Sequence, residues 1–90
     1  MPKRMYDKAL VLYESIQHRL TMADVSQGER EALEDCRARL FSEPLIGKSG
    51  QWIAKKFREQ LYWIALHGQQ DTEEGKGYAS VAHSLRRAIE

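Results

Sequence analysis

Apolar residues recur along this chain at steps of three and four, and no segment alternates at steps of two. That period places them on single faces of helices and leaves no pattern from which a sheet could be built. The first run is Met5, Tyr6, Ala9, Leu12, Tyr13, Ile16 and Leu20, with Asp7, Glu14, Ser15 and His18 on the other side. It predicts an amphipathic helix with one core-facing stripe. Pro2 suits a first helical position, where its missing N–H would have no partner anyway.

Segment 23–28 interrupts that helix. Ser26 followed by Glu29 has the spacing of a capping box, in which each side chain satisfies an orphan donor at the helix start. A second helix then turns Ala32, Leu33, Cys36 and Leu40 inward and Glu31, Glu34, Asp35, Ala38 and Arg39 outward. Pro44 disfavours helical geometry at Glu43, and Gly47 and Gly50 make the connection turn-rich. A third helix is expected from about Gln51 to about His67, stopped by Gly68. Asp71 with Glu74 offers an early start for a fourth helix. Gly75 and Gly77, each costing roughly 1 kcal/mol against alanine, argue for a later one. Tyr78, Val81, Ala82, Leu85 and Ile89 then form a clear stripe. The expectation is one all-α domain over residues 1–90, a compact bundle of three long helices plus a shorter C-terminal fourth.

Fourteen basic residues against thirteen acidic ones leave a formal net charge of +1. A dedicated nucleic-acid binder carries a larger basic excess, although a local patch can still act. The single cysteine cannot close an intramolecular disulfide, which suits a reducing compartment. No run approaches the roughly 20 apolar residues of a membrane span. The charged start is followed by no unbroken apolar stretch, so a signal peptide is not expected. These readings point to the cytoplasm.

Candidate chemistry is sparse. Cys36 lies on an inward stripe between Leu33 and Leu40, the setting of a small buried apolar residue rather than an activated nucleophile. His18, His67 and His83 are scattered over different helices and form no ligand cluster. Glu29, Glu31, Glu34 and Asp35 alternate with Arg30 and Arg37 and read as a solvated face with local ion pairs. The run Gly47, Lys48, Ser49, Gly50 resembles the end of a phosphate loop, but Ser42 stands where that pattern needs its first glycine, and no strand precedes it. No catalytic residue, cofactor or metal is expected.

The third helix is the informative element. At about 100° per residue, Ile53, Phe57, Leu61, Ile64 and Ala65 make a core face. Trp52, Trp63 and Leu66 fall roughly opposite, with Tyr62 at the edge and Lys56 and Glu59 interspersed. A surface helix needs only one apolar face. Either the helix is central and covered on both sides, or the aromatic residues anchor a partner or a second copy of the chain. The leading expectation is a non-catalytic protein-binding regulator, adaptor or inhibitor acting by occlusion or bridging. It would use Trp52, Trp63, Leu66, Tyr62, Lys56 and Glu59, and a homodimer is one form of it. The alternative is a DNA- or RNA-binding regulator using Lys48, Lys55, Lys56 and Arg58 at the start of the same helix.

Overall fold

In the computed structural model, which describes residues 4–90, helix α1 (Met5–Leu20) buries Ala9, Leu12 and Ile16. Tyr13 is half-buried and Tyr6 is exposed, so the aromatic residues expected within the stripe lie at its edge. They sit about a quarter-turn from the Ala9–Leu12–Ile16 line, which is the part of α1 that meets the other helices. Pro2 falls outside the described residues.

Helix α2 (Gln27–Phe41) begins at Ser26, whose Oγ accepts a hydrogen bond from the Glu29 amide at 3.2 Å. The reciprocal half of the capping box is replaced. The Glu29 carboxylate instead accepts from Arg19 of α1, at 2.9 Å from Nε and 3.3 Å from Nη2. Arg30 adds a 2.7 Å bond to the Leu20 carbonyl, so the turn between α1 and α2 is held from both sides. Ala32, Leu33, Cys36 and Leu40 face inward as the spacing predicts.

Gly47, at φ 82°, supplies the left-handed step of the following loop. Ser49 then caps helix α3 (Gly50–His67), accepting from the Trp52 amide at 3.1 Å. Gly68 ends α3 without entering the left-handed region, at φ −69°. Its requirement is space, since a Cβ there would sit 2.9 Å from the Ala79 backbone.

The fourth helix, α4 (Glu73–Ile89), differs from expectation. At 17 residues it is longer than α1, with 16, or α2, with 15, and it contains both glycines. Thr72 caps it by accepting from the Gly75 amide at 3.0 Å. Gly77 is buried against α2, where a Cβ would lie 2.8 Å from Ala32 Cβ and 3.0 Å from the Glu29 carbonyl oxygen. Gly75 lies close to the Gln70 carbonyl, with no room for a side chain. The helix cost of these glycines is offset by a close approach that no other residue permits.

Contacts advance together along α2 and α4: Ser26 meets Glu73, Gly28 faces Glu74, Ala32 meets Gly77 and Asp35 meets Tyr78. These two helices therefore run in the same direction. The result is an all-α four-helix bundle, with Phe57, Leu33, Leu40, Ile53, Ile64 and Leu85 at its centre. No helix of the described residues is long and apolar enough to cross a membrane.

Candidate protein-binding surface

The two tryptophans of α3 occupy neither the core centre nor the open surface. Both are half-buried and pack against the core. Trp63 lies in a cluster drawn from three helices. The Arg39 guanidinium stands 3.2 Å from its ring centre, the His67 imidazole 3.6 Å from it, and Tyr78 meets it edge-on at 5.6 Å. Asp35 completes the cluster by accepting from Tyr78 Oη at 2.8 Å and from Arg39 Nε at 3.1 Å. Burial, and then this bond to a carboxylate, pushes the Tyr78 phenol above its ordinary value. These contacts lock α2, α3 and α4 together; Trp63 is a structural pin.

Trp52 is occupied in a different way. Lys48 and Lys56 place their ammonium groups 4.8 and 5.3 Å from its ring centre, within the range of a cation–π contact. Lys56 also donates to Glu43 at 2.9 Å, tying α3 to the preceding loop. That hydrogen bond, reinforced by the charge on Lys56, holds the Glu43 carboxyl below the usual carboxylate range.

Of the six residues expected to bind a protein, Tyr62 and Leu66 project freely, at 79% and 53% exposure, and Glu59 is exposed beside them. Trp52, Trp63 and Lys56 are engaged within the chain. The helical wheel placed the indoles opposite the core, whereas their long rings reach back over the flank of α3 and find cover there. Of the four cations expected to meet nucleic acid, Lys55 and Arg58 are exposed, while Lys48 and Lys56 attend Trp52. They do not converge into one free patch.

An apolar groove with an aromatic floor lies elsewhere. Tyr6, Leu10 and Tyr13 of α1, Phe41 at the end of α2, and Leu45 and Ile46 of the loop line a continuous groove with Glu43 and Pro44. Ile46 is 80% exposed, Leu10 45% and Tyr6 37%. The floor is firm, because Tyr13 meets Phe41 edge-on at 5.1 Å and Phe41 meets the buried Phe57 at 5.7 Å. A second recess shares Tyr6 and Ile46 and continues to Arg4, Asp7 and Lys48. Sequence reasoning missed this surface. The available signal was Leu10, which lies off the α1 stripe, together with Ile46, an isoleucine in a polar loop.

The cysteine and the two other histidines stand apart from these surfaces. Cys36 is fully buried, and burial pushes its thiol up to about 12. His18 and His83 are exposed, and neither ring is among the aromatic contacts of the Trp63 cluster. Among the described residues no three His, Cys, Asp or Glu side chains gather as metal ligands. No family model, curated protein or solved structure matches this chain.

Proposed function

We propose that this chain is a non-catalytic protein-binding module, acting as a regulator or adaptor, whose binding surface is the groove between α1 and the α2–α3 loop. The observation that carries the reading is the contiguous exposure of Tyr6, Leu10 and Ile46 over an aromatic floor. Single exposed apolar residues are ordinary, but a continuous apolar patch rimmed by charge is the usual mark of an interface. Tyr6 and Tyr13 in its lining add a residue type enriched at binding hot spots. Tyr62 and Leu66 offer a second, smaller contact on α3. Lys55 and Arg58 are too few to favour nucleic acid over protein.

The test is a photo-crosslinking residue placed at Leu10, an exposed position, in the full chain within its native lysate. Discrete covalent protein adducts are expected, and Ile46→Asp should remove them while leaving the helical circular dichroism unchanged. Adducts that persist with Ile46→Asp, or none at all, would overturn the reading. A shift of labelled duplex DNA or RNA at moderate salt would replace it with the nucleic-acid alternative.

A further inference from the structure

We infer that the recess between α1 and α4 is a binding site for a small organic phosphate, a phosphate monoester with a short hydroxylated body. The recess shares no lining residue with the α1–loop groove, and the inference does not depend on the protein-binding reading. Lys8 of α1 reaches the end of α4, where its Nζ donates to the Glu90 carbonyl at 3.3 Å. Ser15, His18 and Arg19 share the adjoining stretch with Ser80 and Ser84, so the two helices run antiparallel. Ser80, Ser84 and Ala88 recur at steps of four on one face of α4. Their short side chains leave a gap opposite α1, floored by the buried Leu12 and edged by Val11, which is 50% exposed. The gap holds about 450 Å³ at the Lys8 end, within the roughly 300–1,000 Å³ of small-ligand sites.

Charge and hydrogen bonding select the ligand. No Asp or Glu lines the recess among the described residues, and the nearby Asp7, Glu14 and Glu90 are exposed outside it. Lys8 and Arg87 line one end together. Arg87 makes no ion pair among the described residues, in contrast to Arg19, Arg39, Lys56 and Lys76. Lys8 keeps free donors beyond the one that meets Glu90, because an ammonium has more than one. The negative end of α4 lies here as well, and the adjacent positive end of α1 offsets its partial charge. Arg19, at the far end, is held by Glu29 and Asp24, which leaves the free charge at the Lys8 end alone. Paired cations match a phosphate monoester, with close to two negative charges near pH 7, better than a singly charged carboxylate. Arg87 supplies a planar fork for its oxygens and Lys8 a point charge. Inward from that end, the Ser15, Ser84 and Ser80 hydroxyls have no side-chain hydrogen-bond partner among the described residues. A hydroxyl both donates and accepts, so these three suit the hydroxyl groups of a small polyol. No Phe, Tyr or Trp lines the recess, which leaves a nucleobase little surface for stacking.

Isothermal titration calorimetry of the full chain at low salt, with glycerol 3-phosphate and separately with inorganic phosphate, tests this. One site is expected, about threefold or more tighter for glycerol 3-phosphate, whose hydroxyls gain hydrogen bonds. Arg87→Glu, at an exposed position, should weaken binding by about tenfold or more with the helical circular dichroism unchanged. Lys8→Gln repeats that test from α1 and should weaken binding in the same direction. Lys55→Glu, exposed on α3, should leave it as it is. Ser84→Val, which fills the recess, should bring glycerol 3-phosphate down to the affinity of inorganic phosphate. The inference is overturned if millimolar glycerol 3-phosphate gives no binding, or if Arg87→Glu binds like the parent. It is overturned equally if Lys55→Glu weakens binding as much as Arg87→Glu, the mark of diffuse attraction to any cation. A Ser84→Val chain that keeps its preference would place the ligand body elsewhere and sink the assignment. Equal affinity of the parent for both anions would also sink it, leaving a place for an adventitious ion only.

Discussion

The α2–α4 seam and the α1–loop groove treat their side chains in opposite ways. Along the seam, Gly77 removes a side chain so that Ala32 and the Glu29 carbonyl can reach the α4 backbone. In the groove, Leu10 and Ile46 have exposed side chains that no element among the described residues covers. Close packing of the first kind is paid for in helix propensity and recovered in dispersion contacts. Open apolar surface of the second kind contributes little to the isolated fold, and its energetic value appears only when something covers it. The contrast separates residues that hold the bundle together from residues that are free to serve another molecule.

The largest expected effect lies at the seam. Gly77→Val should destabilise the protein by about 3 kcal/mol, because the added atoms meet a methyl group and a backbone oxygen that cannot retreat. Urea unfolding followed by circular dichroism would measure it. A variant as stable as the parent would mean that α2 and α4 do not approach as closely as described. A smaller loss, about 2 kcal/mol, is expected for Trp63→Ala, which removes the ring shared by Arg39, His67 and Tyr78. No thermal shift in that variant would return Trp63 to the role of a free anchor. The smallest effect belongs to the groove: Ile46→Ser should change monomer stability by no more than about 0.5 kcal/mol, measured at a concentration where the chain is dispersed. A large loss there would show that Ile46 supports the fold and would erase the contrast.

Where local chemistry decides the structure, the sequence was readable. Ser26 caps α2, Cys36 is interior, and α3 spans nearly the expected residues. Where a neighbour in space decides, it was not. Gly75 and Gly77 read as helix breakers because propensity knows nothing of Ala32 or of the Gln70 carbonyl. A wheel drawn on Cα positions sets Trp52 and Trp63 outward, but it ignores how far an indole can fold back along the flank of its own helix. The groove was hidden for a related reason. Tyr6 and Tyr13 satisfied the α1 period, so nothing in the spacing revealed that they stop at the rim of the core, beside Leu10 and Ile46.

The parallel course of α2 and α4 has a consequence for the order in which this molecule can be made. Two helices that run the same way cannot be joined by a tight turn, so the chain must lay down all of α3 before the seam can close. Ser26 waits for a residue 47 positions downstream. During synthesis, Ala32 of α2, which packs against Gly77, emerges well before the helix that will cover it. Until α4 leaves the ribosome, the side of α2 that meets α4 stays open to a holding chaperone.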